Sequence, residues 1–97
     1  MAEKNVTLKR GIKIKEQWFK EITIREPDLD DMSEVENSGI SAYRSINFNR
    51  TLYASCIVDV KGYQGVVTPG LLGTLSQTDW GTLYDEFQKF ETEGKPE

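Results

Sequence analysis

Six carboxylates lie close together in the first half of the chain and are its densest group of reactive side chains: Glu26, Asp28, Asp30, Asp31, Glu34 and Glu36. Oxygen-rich segments of this kind bind hard cations such as Ca²⁺. An EF-hand loop that began at Asp28 would have Ser33 where glycine is required and Gly39 where a bidentate glutamate is required. The template fails, so we interpret the run as a solvated helix face whose acids complement the helix dipole.

The other reactive residues give little indication of catalysis. The chain has no His, which removes the commonest general base and the commonest zinc ligand. Its single cysteine, Cys56, has no His to activate it and cannot close an intrachain disulfide, so we interpret it as a small core residue. Asp59 is the only acid within an apolar stretch, and we interpret it as a helix-surface residue. We therefore expect no enzyme activity, no metal and no cofactor.

Nucleic-acid and membrane partners are also disfavoured. Two Gly-x-x-Gly tetrads occur at residues 62–65 and 70–73, but Lys61 is the only basic residue near them, so we interpret both as turns. An isoelectric point near 4.9 is unlike that of a phosphate-binding domain. The longest apolar runs fall short of the roughly 18 residues of a membrane span, and the N-terminus lacks the apolar region of a signal peptide. We expect a cytosolic protein.

Length and charge predict one small domain with two differently charged segments. The 97 residues suffice for a single core. Residues 1–20 contain six basic residues and two acids, whereas residues 21–40 contain one Arg and seven acids. These segments could pair with each other within the fold or contact different partners.

The N-terminal quarter predicts an antiparallel β-hairpin over residues 5–25. Apolar and polar residues alternate on both sides of a polar break at residues 15–17, and Gly11 is a candidate β-bulge. The strand ends at Arg25-Glu26-Pro27, after which Leu29, Met32 and Val35 predict an acidic helix over 28–37.

The middle of the chain is open to two interpretations. An apolar residue at every fourth position from Phe48 to Val60 favours a helix over residues 47–61 capped by Asn47, whereas the β-branched Ile57-Val58-Asp59-Val60 suits a strand. A short helix is predicted over residues 69–75.

The C-terminal helix, over residues 78–91, has the clearest pattern. Ser76 and Asp79 match a capping box, and an apolar stripe follows. Residues 92–97 are predicted to be a flexible tail. The fold class is therefore α+β, with a hairpin and three to four short helices. If part of the stripe is an interaction surface rather than core, its candidate residues are Trp80, Tyr84, Phe87 and Phe90, with Leu29 and Met32 as a second patch.

Three segments in this order carry a resemblance to a known family: Thr23-Ile24-Arg25-Glu26-Pro27 with Asp30 and Asp31, then Leu52-Tyr53-Ala54-Ser55-Cys56-Ile57-Val58, and finally Leu75-Ser76-Gln77-Thr78-Asp79-Trp80 with Leu83 and Phe87. They resemble the small tail assembly chaperones of Mu-like contractile-tailed phages and prophages, and the resemblance spans residues 5–90.

The resemblance implies a non-enzymatic role in the cytoplasm of the bacterial host. Such a chaperone binds the tape measure protein and keeps it soluble until tail tube protein polymerises around it, and it is absent from the mature virion. Contacts with the tail tube protein and between copies of the chain are left open. The alternative is a structural tail or baseplate component that stays in the particle.

Overall fold

Seven secondary-structure elements follow one another in the described part of the chain. The computed structural model describes residues 2–40, 42–43 and 45–93. Within them the elements are β1 (Glu3–Ile14), β2 (Gln17–Arg25), α1 (Leu29–Asn37), α2 (Ile46–Cys56), β3 (Ile57–Val60), α3 (Pro69–Leu72) and α4 (Gln77–Glu93). The strands form one antiparallel sheet in the order β1-β2-β3. The predicted fold class, a β-hairpin followed by short helices in a small α+β domain, is confirmed.

The hairpin is closed by a tight turn. Lys15 and Glu16 connect β1 to β2, and both have positive φ, at 51° and 71°. These values are typical of a two-residue type I′ turn, whose twist matches that of the flanking strands. The alternation of apolar and polar residues is confirmed, because four apolar residues of the two strands are buried on one face: Val6, Leu8, Ile22 and Ile24.

Gly11 forms the predicted bulge in β1. The pairing register with β2 shifts between Thr7 and Ile12, and Gly11 has a φ of 96°. A Cβ atom at this position would lie 2.2 Å from the carbonyl oxygen of Phe19, so only glycine fits both the conformation and the space. The bulge leaves several consecutive backbone N–H groups of β1 directed away from β2.

Side-chain caps begin the first two helices. Asp28 accepts a hydrogen bond from the backbone N–H of Asp31 at 3.0 Å, and the Asp31 carboxylate accepts one from the backbone N–H of Asp28 at 2.8 Å. This capping box confirms the predicted acidic helix α1. Helix α2 is capped by Ser45 rather than by Asn47, because the Ser45 hydroxyl accepts from the backbone N–H of Phe48.

The segment after Cys56 is a strand, so the predicted helix over residues 47–61 is wrong beyond residue 56. Strand β3 pairs with β2, with Val60 opposite Ile22. Ile57 and Val60 are buried in the sheet, where β-branched side chains pack well. The edge of β2 offers hydrogen-bond partners to the backbone of this segment. These strand contacts outweigh the helix preference indicated by the four-residue apolar spacing, which Val60 matches by coincidence.

Helix α3 is a single turn, shorter than the predicted helix over residues 69–75. Pro69 occupies its first position, where a missing N–H is tolerated. Beyond Leu72 the chain continues in turns with hydrogen bonds between residues three apart, and the N–H of Leu75 donates to the carbonyl of Leu72 at 3.1 Å. Leu72 is buried and Leu75 is partly buried, so the segment still contributes to the core.

Helix α4 exceeds its predicted range of 78–91 at both ends. Its backbone continues to Glu93, which makes the first two residues of the predicted 92–97 tail helical. Residues 94–97 lie outside the described part of the chain. The predicted apolar stripe is mainly core: Leu83, Phe87 and Phe90 are buried, whereas Trp80 and Tyr84 are partly buried.

The core lies between the sheet and helices α2 and α4. Tyr53 of α2 stacks in parallel on Phe87 of α4 with ring centroids 4.0 Å apart, and Trp80 packs against Tyr53 at 5.6 Å. Aromatic pairs of this kind contribute roughly 0.5–1.5 kcal/mol beyond the area that they bury. Cys56 is buried beside them, as expected for a small core residue.

Asp79 joins the start of α4 to the bulge in β1. The Ser76 hydroxyl accepts from the backbone N–H of Asp79 at 3.1 Å, as the capping box predicts. The Asp79 carboxylate also accepts hydrogen bonds from the backbone N–H groups of Lys9, Arg10 and Gly11, at 2.7, 2.9 and 2.8 Å. These long-range bonds fix the position of the helix relative to the hairpin.

The environment of Asp79 favours its charged form. Its side chain is fully buried, and burial by itself would raise the pKa of the carboxyl group. The backbone hydrogen bonds from Gly11, Lys9 and Arg10 outweigh that effect and lower the pKa below its usual range. The fold therefore stabilises an ionised carboxylate in its interior.

We expect Asp79→Asn to lower the free energy of unfolding by roughly 2–4 kcal/mol, because the amide loses the charge and directs N–H donors at backbone donors. Urea unfolding followed by circular dichroism at pH 7 measures the change. Asp85→Asn, at an exposed position on the same helix, should alter stability by less than about 0.5 kcal/mol. Equal stability of the Asp79→Asn and wild-type proteins would contradict the proposed role of the carboxylate.

Candidate functional site

A groove with an apolar floor lies between α1, the loop that precedes α2, and the end of α4. Its deeper part has a volume of about 150 Å³, below the roughly 300–1,000 Å³ of typical small-molecule pockets. Phe48 and Leu52 of α2 and Phe87 and Phe90 of α4 form its floor. A cavity of this size suits one or two apolar side chains of a protein partner.

A shallower depression of about 270 Å³ adjoins the first and extends it along α1. The two share Met32, Tyr43 and Phe48 as lining residues. Leu29 lines the outer part and is 76% exposed, an unusual exposure for a large aliphatic side chain next to other apolar residues. We refer to both depressions together as the α1–α4 groove, defined by Leu29, Met32, Tyr43, Phe48, Phe87 and Phe90.

The structure brings four of the six predicted interaction residues together in this groove. They are Leu29, Met32, Phe87 and Phe90. The buried Phe87 and Phe90 are part of its floor rather than exposed anchors.

The other two predicted interaction residues lie elsewhere. Trp80 lines a separate depression with Ile46 and Leu72. Tyr84 packs against the core as a partly buried side chain. The stripe on α4 therefore contributes to two surfaces instead of forming one.

Phe48 and Tyr43 are the two groove residues that the sequence does not predict as interaction residues. Tyr43 is the exposed one of the two. It is 57% exposed and packs edge-on against Phe48, with ring centroids 5.4 Å apart. Ile40, Tyr43 and Ile46 recur at three-residue intervals in this connection, but the spacing does not show which of these side chains lies on a surface. The available signal is Tyr43 itself, a large aromatic residue within a polar connecting segment.

Carboxylates line both parts of the groove. Glu26 and Glu91 line its deeper part and Glu36 lines its shallower part. Among the described residues that line either depression, none is Lys or Arg. The surface thus combines an apolar floor with negatively charged edges.

Arg25 and Asp31 hold α1 beside the groove. Two guanidinium nitrogens of Arg25 donate to the two Asp31 carboxylate oxygens, at 2.7 and 2.8 Å. The side chain of Arg25 also reaches the carbonyl of Ser55 near the end of α2. The Arg25 guanidinium lowers the pKa of Asp31 to about 2, and hydrogen bonds from Asp28 add to the effect although burial opposes it.

The two charged segments of the sequence do not simply neutralise each other. Asp31 of the acidic segment pairs with Arg25 of the same segment. Lys4 of the basic segment pairs with Glu86 of α4 at 3.6 Å and lies 4.5 Å from the ring centre of Phe90. The first of these pairs fixes α1, and the second connects α4 to β1.

A second exposed surface lies near the turn of the hairpin. Trp18 is 43% exposed, and the Arg10 guanidinium lies over its ring at 4.7 Å. The Lys13 ammonium lies 5.8 Å from the same ring centre. The basic groups of Arg10 and Lys13 thus contact the exposed aromatic ring of this surface.

Neither a metal-binding cluster nor an activated thiol is present among the described residues. No group of three or more His, Cys, Asp or Glu side chains among them could hold a metal ion. Burial raises the pKa of the Cys56 thiol to about 11, so the reactive thiolate is scarce at neutral pH. None of the helices in the described part of the chain has the length and apolar character needed to cross a membrane.

Comparisons with known proteins return no family model, curated protein or solved structure that matches this chain. The resemblance to tail assembly chaperones therefore depends on the sequence motifs alone.

Acid should weaken the contact between Arg25 and Asp31. The pKa of Asp31 is about 2 in the folded chain and about 3.9 in an unfolded one. The contribution is therefore complete above about pH 5 and disappears as the pH falls towards 2, with a size of about 2 kcal/mol. Urea unfolding at a series of pH values from 7 to 2.5 measures it.

Arg25→Met should lower stability at pH 7 and flatten this part of the pH profile, leaving the acid sensitivity that Asp79 contributes. Lys20→Met, at an exposed position on the same strand, should change neither the stability nor the profile. An Arg25→Met protein with the wild-type pH profile would exclude a stabilising role for the pair.

Proposed function

We propose that this chain is a phage or prophage tail assembly chaperone that binds an apolar, helical segment of the tape measure protein in the α1–α4 groove. The observation that carries the proposal is the groove itself, where Leu29 and Tyr43 are exposed above a floor of buried aromatic side chains. Apolar grooves of this kind bind the apolar face of an amphipathic helix. The role is one of binding, without catalysis.

Two of the motifs that carry the family resemblance fix the helices that border the groove, which supports the proposal. Arg25 of the Arg-Glu-Pro motif fixes α1 through Asp31. Asp79 of the C-terminal motif fixes α4 through the bulge in β1. Both motifs thus hold the two helices that border the proposed binding surface.

The size of the groove suits a partner that must later be released. Complete burial of a large apolar side chain contributes roughly 1.5–3 kcal/mol, and the exposed groove residues are few. Association also costs translational and rotational freedom, so a small interface of this kind gives moderate affinity. A chaperone acting in the host cytoplasm needs such affinity, because the tape measure protein must pass to the polymerising tail tube.

Co-expression with the cognate tape measure protein tests the proposal. The chain should increase the soluble fraction of the tape measure protein several-fold and co-purify with it. The double substitution Leu29→Gln and Tyr43→Gln should abolish both effects without unfolding the domain, because both side chains are exposed. Soluble yield and co-purification are measured by gel densitometry after affinity capture.

Val66→Gln is the matched control, since Val66 is 80% exposed and does not line the groove. It should behave like the wild-type chain. A tape measure protein that stays insoluble and does not co-purify would refute the proposal. Abundant copies of the chain in mass spectra of mature tails would favour a structural tail or baseplate component instead.

A further inference from the structure

We infer that the segment bound in the α1–α4 groove is an amphipathic helix whose apolar face is flanked by Lys or Arg residues. The inference rests on the proposed function, because it describes the partner of the same groove. It adds the requirement that basic residues flank the apolar face of the partner, which the solubilising of an apolar segment does not by itself impose.

The shape of the groove limits the apolar part of the partner. Its two depressions lie side by side and share Met32, Tyr43 and Phe48 as lining residues. Apolar side chains separated by one helical turn lie on the same face of a helix and can enter neighbouring depressions. The partner therefore needs a narrow apolar stripe, and the residues beside that stripe lie over the edges of the groove.

The edges of the groove are negatively charged in each of its two parts. Glu26 borders the deeper part, and Glu36 borders the shallower part. Asp30 and Glu34 are exposed on the same helix as Glu36 and have the same sign. Two described cations contact residues of the groove but are not among its lining residues. Lys4 lies over the ring of Phe90 and pairs with Glu86. Arg25 donates to the carbonyl of Glu26 while it pairs with Asp31.

This distribution of charge selects among apolar helices. Basic residues beside the apolar stripe of the partner would face carboxylates, whereas acidic residues in the same positions would meet like charges. Charges at the edge of an interface mainly determine association rate and specificity, and their effect declines with salt. Among helices with equal apolar faces, the groove therefore binds the helix with basic flanking residues most tightly. The difference in affinity is largest at low ionic strength.

Two synthetic helical peptides with the same apolar stripe test the inference, one flanked by Lys and the other by Glu. We expect the full chain to bind the Lys-flanked peptide at least tenfold more tightly by isothermal titration calorimetry at 50 mM NaCl. The preference should fall to about threefold or less at 500 mM NaCl. Equal affinities at low salt would overturn the inference.

Substitutions in the chain locate the charges responsible. The double substitution Glu26→Gln and Glu36→Gln should reduce the preference for the Lys-flanked peptide at least threefold. The control double Glu3→Gln and Glu16→Gln makes the same change in net charge on the hairpin and should leave the preference within twofold. Equal effects of the two doubles would overturn the inference, because long-range net charge would then explain the preference.

The outcomes separate this inference from the proposed function. Binding of the Lys-flanked peptide with the expected preference, in a chain that fails to solubilise the tape measure protein, would support the inference and refute the function. Solubilisation of the tape measure protein by a chain that binds both peptides equally would support the function and overturn the inference.

Discussion

The carboxylate of Asp79 accepts hydrogen bonds from three consecutive backbone N–H groups nearly 70 residues earlier in the chain. The bulge at Gly11 makes these donors available, and a φ of 96° at that position is accessible mainly to glycine. Next to them, the Thr74 hydroxyl accepts from the backbone N–H of Lys13 at 3.0 Å. The segment leading into α4 thereby covers part of the outer edge of β1, which would otherwise expose unpaired backbone groups.

The position of the groove follows from this contact and from the pair between Arg25 and Asp31. Asp79 fixes the start of α4, and the stacked rings of Tyr53 and Phe87 fix α4 against α2. Arg25 fixes α1 at the other end of the hairpin. The groove lies between two helices, and each helix is held by a buried or half-buried carboxylate. The side chains of Leu29 and Tyr43 in the groove remain exposed.

Local sequence patterns predict most of this fold because most of its elements depend on interactions between residues that are close in the sequence. Alternating apolar and polar residues predict the hairpin, the spacing of Leu29, Met32 and Val35 predicts α1, and the spacing of Leu83, Phe87 and Phe90 predicts α4. Strand β3 is different, because its conformation depends on an available edge of β2. The contact between Asp79 and the bulge in β1 is equally long-range. The capping box predicts only the local hydrogen bond between Ser76 and Asp79. The groove escapes prediction in part for the same reason, since Tyr43 joins it from the connection between α1 and α2 and not from a predicted element.

The central claim is that the α1–α4 groove, rather than the basic surface around Trp18, is the partner-binding face. Two-dimensional ¹H–¹⁵N NMR of the chain, titrated with the Lys-flanked helical peptide, tests it most directly. We expect the largest shift changes at the amides of Leu29, Met32, Tyr43 and Phe90, with the Trp18 indole signal unchanged. Changes concentrated at Trp18 and Lys13, with the groove amides unaffected, would contradict the claim.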